Sequence, residues 1–330
     1  MFKILLVCFV GSRIGMGHLS RMLVLANTLR STNVVIPEFL IFGDLVKKNE
    51  LANFNIHNFP IEKKFVESIE NIQEELNFDA MIFDIYPKHQ IDNLDKLFFK
   101  LKQLSVITVA IDSLIQYRNI IDLIWIPSFN FDCTKYSDCT AILNSGWDSF
   151  LIKKRVQQKT WRAGNKVLIL TGGSDSANLG VSLPTQLDRL LPKDTRINWV
   201  KGPFSNMPKL PKKCRLSWVI SDAPDYLDEL LVESNYVLTV FGVSLFEALQ
   251  YGIPTVVFSP WLKDNKDLND LKKENVAMVK DNSDEAIEGL IYLIKNNETS
   301  KKYSINSLKK LSINGTEKLS NKIISLIKYQ

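Results

Sequence analysis

At 330 residues the chain exceeds what one ordinary core holds and suits two domains of about 150 residues each. Hydrophobic residues make up 45% and charged residues 23%, a globular balance that excludes a disordered chain. The net charge of +5 fits an anionic ligand but is too small to argue for nucleic acid, and the apolar runs fall short of the roughly 18–20 residues of a membrane span.

The opening MFKILLVCFV has the length of a signal-peptide core. Gly11-Ser12-Arg13 follows it without a small-x-small cleavage site, so it reads as a first buried strand, Ile4–Val10. Next come a helix over His18–Leu29, strands over Val35–Ile41 and Ala80–Asp84, a helix over Ile91–Lys102, and strands over Val106–Asp112 and Leu123–Ile126. A polar segment at 153–165 reads as a linker. Beyond it lie strands Val167–Thr171, Ile197–Val200 and Ser217–Ile220, helix Asp225–Glu233, strand Tyr236–Val240, helix Ser244–Tyr251, strand Thr255–Phe258 and helix Ser283–Lys295. Strands alternating with helices predict parallel sheets built from βαβ units. The Lys/Asn/Ser-rich tail, 297–330, keeps a helical period and is expected to pack as terminal helices; a surface patch for a membrane or a partner enzyme is the alternative.

KILLVCFVGSRIGMGH and KVLILTGGSDSANLG both read as a buried strand, a glycine loop and a helix start. Each resembles the first βα turn of a Rossmann-like unit, where a helix N-terminus faces the ligand. Domains are therefore expected at 1–152 and 166–296, facing each other across a cleft. Cys8, Cys133, Cys139 and Cys214 form no CxxC and have no histidine at zinc spacing, which predicts reduced, mostly buried thiols in a cytoplasmic protein and no metal site.

Gly15-Met16-Gly17-His18 opens a helix. Glycines there let the backbone approach a ligand, and the positive helix end disfavours imidazolium, leaving His18 able to take a proton. Arg21 lies one turn on and could steer an anion. The competing reading makes His18 an ordinary first-turn residue. Thr171 to Asp175, with Gly172, Gly173 and Ser174, is either a phosphate cradle or a tight turn capped by Ser174 or Asp175. Gly242 and Ser244 follow a buried strand, and Ser244-x-x-Glu247 is either a capping box or a nucleotide site with its carboxylate on ribose. Asp84 and Asp112 end strands where parallel sheets present functional groups, with Tyr86 close by. His57 and His89 read as surface residues.

In this order the pieces IGMGHLSRMLVLA, MIFDIYP, VAIDS, GWDSFLIKKRV, LTGGSDSANL, VISDAPDYLDELLVESN and GVSLFEALQYGIPTVVFSP resemble the GT-B group of nucleotide-sugar enzymes. More narrowly, residues 1 to about 275 resemble the UDP-sugar hydrolase of the pseudaminic acid pathway and its spore-coat-polysaccharide relatives. These are similar in turn to the N-acetylglucosaminyltransferase that makes lipid II. The resemblance implies an α/β GT-B fold, with the first domain on the sugar and catalytic side and the second binding UDP. It also implies metal- and cofactor-independent hydrolysis of a UDP-linked deoxyaminosugar, of the 2,4-diacetamido-2,4,6-trideoxy-altropyranose kind, with inversion, in a nonulosonic acid or surface-glycan pathway. By this resemblance His18 activates water, Tyr86 and Asn265 match further catalytic residues, and Gly15, Gly17, Arg21, Asp84 and Asp112 line the sugar side. Gly172, Gly173 and Ser174 lie near phosphate, Ile220 near uracil, Gly242 and Ser244 on phosphate, and Glu247 on ribose. Asp84-Ile85-Tyr86-Pro87 lacks the family's histidine and glycine, Lys266 stands for a glutamine, and Ser113 for a second aspartate. All three departures fall on the sugar side. A glycosyltransferase using the same donor is therefore the second expectation, and a non-catalytic nucleotide-sugar-binding subunit the third. The chain is expected to act as a monomer.

Overall fold

The computed structural model describes residues 1–12, 14–44, 49–61, 63–85, 91–153, 156–157 and 159–329. They form two compact units, 1–152 with 313–330, and 153–312.

The first unit contains β1 (Phe2–Val10), α1 (Gly17–Ser31), β2 (Val35–Gly43), β3 (Ile56–Phe59), α2 (Phe65–Leu76), β4 (Ala80–Asp84), α3 (Leu94–Gln103), β5 (Ile107–Ile111), β6 (Leu123–Trp125) and β7 (Ile142–Asn144). The sheet is parallel throughout, in the order β3-β2-β1-β4-β5-β6-β7. A parallel sheet is covered on both faces, which is why β1 and β4 are apolar almost without interruption. On one face Leu5, Val7 and Phe9 join Leu40, Phe42, Met81, Phe83, Ile69 of α2 and Leu97 and Phe98 of α3. Burying each such large side chain contributes about 1.5–3 kcal/mol.

The second unit contains β8 (Lys166–Leu170), α4 (Leu179–Leu190), β9 (Arg196–Lys201), β10 (Ser217–Asp222), α5 (Leu227–Glu233), β11 (Tyr236–Val240), α6 (Val243–Gln250), β12 (Thr255–Phe258), α7 (Asn265–Glu274), β13 (Met278–Val279), α8 (Ser283–Lys295) and α9 (Asn297–Lys310). Its sheet is also parallel, in the order β10-β9-β8-β11-β12-β13. Val167, Ile169, Trp199, Leu238 and Val256 pack with Leu183 and Leu187 of α4 and Ile287 and Leu290 of α8.

The tail expected as a pair of terminal helices divides between the units. Helix α9 packs on α6 and α8, whereas α10 (Gly315–Lys328) packs on α1. Lys318 on α10 donates to Asp148 at 2.6 Å and to Asn144 at 3.1 Å. Cover by α10 explains why α1 buries Leu19, Met22, Leu23, Leu25, Ala26 and Leu29, more than one face of a surface helix needs. His57, expected on a polar surface loop, lies in β3 and is hydrogen-bonded at 3.1 Å to the buried Glu38. The position of His89 falls outside the described residues. Of the four free cysteines only Cys8 is buried, and Cys214 is exposed.

In both sheets the chain reverses its direction of travel beside the first strand, between β1 and β4 and between β8 and β11. Crevices at the carboxyl ends of such strand pairs are where open α/β sheets bind ligands.

Candidate functional site

At the first reversal the turn after β1 is drawn tight: the amides of Ile14 and Gly15 donate to the carbonyl of Gly11 at 3.0 and 2.7 Å. Gly15 has φ +87°, a left-handed backbone that suits glycine, and Gly17 is the first residue of α1. His18 follows as the second residue of the helix.

Its partner comes from the neighbouring strand. Asp84 ends β4 opposite Cys8 of β1, and this register sets its carboxylate beneath the start of α1. His18 Nδ1 lies 2.6 Å from Asp84 Oδ1. Asp84 is fully buried and also accepts two parallel bonds from Arg21, Nε to Oδ2 at 3.0 Å and Nη2 to Oδ1 at 2.8 Å. Burial opposes ionisation of Asp84, but the charge of Arg21, then that of His18, and their hydrogen bonds outweigh it and hold the carboxyl below the ordinary range. An ionised oxygen 2.6 Å from Nδ1 calls for a proton on that nitrogen, so a neutral imidazole paired in this way carries its lone pair on Nε2. The sequence placed His18 at a helix N-terminus; the structure adds the carboxylate of Asp84, which sets the tautomer of the neutral ring.

Arg21 does not reach outward to steer an anion. It is buried, and its third bond runs from Nη1 to Asp112 Oδ2 at 2.6 Å. Burial works against its charge, and Asp84 and Asp112 more than offset this. Asp112 follows β5 with φ +65°, its side chain 45% exposed. Ser113, where the resembled family has an aspartate, is buried and donates to the carbonyl of Ile85 at 2.9 Å, tying the ends of β5 and β4 together. A carboxylate there would set two acceptors against each other. Burial, and next the charge of Asp84, push the Cys8 thiol well up, so it stays protonated and is no nucleophile. Tyr86 lies outside the described residues.

In the second unit Gly172, Gly173 and Ser174 follow β8, and Gly242 and Ser244 follow β11, flanking the other reversal. Asp175 caps α4, accepting from the amides of Leu179 and Gly180 at 3.0 and 2.8 Å. This fills the N-terminus of α4, which is therefore no anion site. The start of α6 differs. Its N-cap is Gly242 with no side-chain bond, so Ser244 is the second helical residue and Glu247 the fifth. A capping box needs them at the N-cap and third positions, so that reading fails. A side chain at Gly242 would meet nothing within 4 Å, so the space beside the start of α6 is clear, while the amide of Leu245 is already bonded to the carbonyl of Gly242 at 3.1 Å.

Gly202 is a residue that the sequence analysis missed. It follows β9, and a Cβ there would lie 2.4 Å from the carbonyl of Gly173 and 2.6 Å from that of Gly172, while the amide of Phe204 donates to Gly173 at 3.0 Å. Gly202 thus backs the glycine turn. With UDP held by this turn, as the sequence resemblance implies, Gly202→Ala is expected to weaken UDP binding about tenfold or more, read by calorimetry, because the displaced backbone is the part that would approach phosphate. Unchanged affinity would separate this turn from nucleotide binding.

Ile220 lies two residues inside the edge strand β10 and pairs with Trp199, away from the strand ends. The strand stops at Ala223, whose φ is +40° and whose amide bonds to Lys201. Asn265 opens α7, after a turn in which Ser259 bonds Asp264 and the Trp261 amide donates to Ser259 Oγ at 3.1 Å. Among the described residues no cluster of His, Cys, Asp and Glu could hold a metal ion, and no helix is long and apolar enough to cross a membrane.

The fold is of the GT-B type, and the comparisons with solved structures rest on that likeness. MurG of Acinetobacter baumannii matches with a TM-score of 0.65 at 14% identity, over 98% of this chain and 99% of MurG. The glycotransferase of kitacinnamycin matches with a TM-score of 0.67 at 14% identity over 98% of each chain. MnaA of S. aureus, in a co-structure with UDP, gives 0.62 at 13% identity over 100% of this chain and 96% of that one. No protein-family model matches. An uncharacterized protein of Methanocaldococcus jannaschii is 28% identical over 279 residues, 77% of this chain, and the match spans 55% of that relative's length.

Proposed function

We propose that the protein transfers a sugar from a nucleotide donor, UDP-linked, to a hydroxyl that His18 deprotonates. One observation carries this: His18 stands at the β1/β4 reversal with Nδ1 2.6 Å from Asp84, a pairing that gives the neutral imidazole its lone pair on Nε2. A base so arranged takes a proton from an O–H as it attacks the anomeric carbon, and the sugar–oxygen bond to UDP breaks with inversion. The leaving diphosphate needs only charge stabilisation, which backbone amides of the Gly172–Ser174 turn and of the uncapped start of α6 would supply. By the sequence resemblance Glu247 then binds ribose, and Tyr86 and Asn265 match further catalytic residues. Similarity in fold to a glycotransferase and to a UDP-bound enzyme supports the donor class and favours transfer.

Hydrolysis is the second reading, favoured by the ordered motifs from IGMGHLSRMLVLA to GVSLFEALQYGIPTVVFSP. The chemistry is the same with water as the attacking O–H, on a UDP-linked deoxyaminosugar. Incubation with a panel of UDP-sugars, with and without hydroxyl acceptors, separates the two, with NMR identifying the sugar product. Transfer predicts UDP release that depends on the acceptor, and free sugar from donor alone indicates hydrolysis. Binding of UDP with no turnover of any donor would overturn both and leave a binding subunit.

A further inference from the structure

Arginine is costly to bury, and Arg21 is buried within the site itself. Its fork is fully directed: two bonds grip Asp84 and one, at 2.6 Å, grips Asp112. Nη2 also lies 3.3 Å from His18 Nδ1. A guanidinium only donates, so this contact alone would favour a bare Nδ1. The carboxylate oxygen at 2.6 Å demands the opposite, and Arg21 is what keeps that oxygen charged and in place. A lysine is a point charge and cannot hold two carboxylates in one plane.

At the other end, Asp112 is held in a left-handed backbone that a non-glycine residue rarely adopts, φ +65°, with its amide bonded to the carbonyl of Trp125 at 2.9 Å. Oδ2 is committed to Arg21, while the side chain remains 45% exposed. Oδ1 is therefore an oriented acceptor.

We propose that Arg21 is a positioning residue joining the base to a substrate reader: through Asp84 it locks His18 in the Nδ1–H tautomer, and it fixes Asp112 so that Oδ1 accepts a hydrogen bond from a hydroxyl or amide N–H on the sugar. The second half rests on the reading of His18 as the base of sugar transfer; the first does not. The sugar is thus one that carries a donor group within reach of Asp112, and the residue discriminates against sugars that lack it.

The chain has three histidines, so ¹⁵N-imidazole NMR can assign His18 by its disappearance in His18→Asn. The wild-type protein is expected to show His18 protonated on Nδ1, and Arg21→Lys to show mixed tautomers with His57 and His89 unmoved. An Nε2–H tautomer in the wild type overturns the first half without any variant, as does an unchanged spectrum in Arg21→Lys. Asp112→Asn is expected to leave the tautomer intact, raise KM for the preferred donor about 10- to 100-fold, and change kcat little. Donors missing one hydroxyl or acylamino group should lose as much in the wild type and nothing further in the variant. An unchanged KM in Asp112→Asn overturns the reader. The expected tautomer together with no turnover of any donor would sink the functional reading while leaving the lock in place.

Discussion

His18→Asn is expected to lower kcat about 10²- to 10⁴-fold, the usual worth of a general base, while UDP affinity changes less than about threefold. The substitution is chosen for what it preserves. Asparagine keeps an N–H that can donate to Asp84, so the buried pair with Arg21 stays satisfied and the start of α1 is undisturbed. The residues proposed to hold UDP, from Gly172 to Ser174 and from Gly242 to Glu247, belong to the other unit. Chemistry and nucleotide binding should therefore separate in this variant. Single-turnover rates with the donor found in the screen, and calorimetry with UDP, make the measurement. Near-normal turnover would remove His18 from the mechanism; loss of UDP binding alongside turnover would place its role in folding or in the nucleotide site.

The sequence revealed the elements whose residues act locally. Strands β4, β11 and β12 and helix α8 are read to their last residue, because unbroken apolar runs and a clear 3.6 period carry their own boundaries. Strands β3, β7 and β13 were not found: they have four, three and two residues and take their strand character from their neighbours. Helix α4 hides behind the proline inside it, Pro184. At the site, Gly-x-Gly-His pointed to His18 through spacing alone. Its partner lies 66 residues away and becomes visible only when β1 pairs with β4, Cys8 opposite Asp84. The three-residue spacing of His18 and Arg21 predicts a shared helix face but not whether it looks out or in, so an expected anion guide is an inward-facing clamp. The same limit applies to Thr171–Asp175, whose sequence fits a cradle and a cap alike. The structure makes Asp175 the cap of α4 and gives α6 no side-chain cap.

Asp84→Ala is expected to destabilise the first unit by about 3–5 kcal/mol, the cost of leaving a buried charge without its partner. Arg21 would retain only Asp112, whose side chain is 45% exposed and screened by water. The penalty belongs to the orphaned charge rather than to the lost bonds, which gives a sharp control. Asp84→Leu combined with Arg21→Met should be less destabilising than Asp84→Ala alone, because no buried ion is left behind. Hydrogen exchange at β1 and β4 is the suitable measurement, since it reads the opening of the first unit by itself. The pH dependence follows from the sign of the Asp84 shift. Its carboxyl ionises more readily folded than unfolded, so its contribution is fully present above the unfolded value of about 3.9 and is lost as pH falls through the lower folded value. The gap in stability between wild type and Asp84→Asn should therefore hold steady from neutral pH to about pH 5 and narrow below about pH 4. A gap that stays constant down to pH 2 would mean that Asp84 is not held ionised by Arg21, and the tautomer assigned to His18 would lose its physical basis.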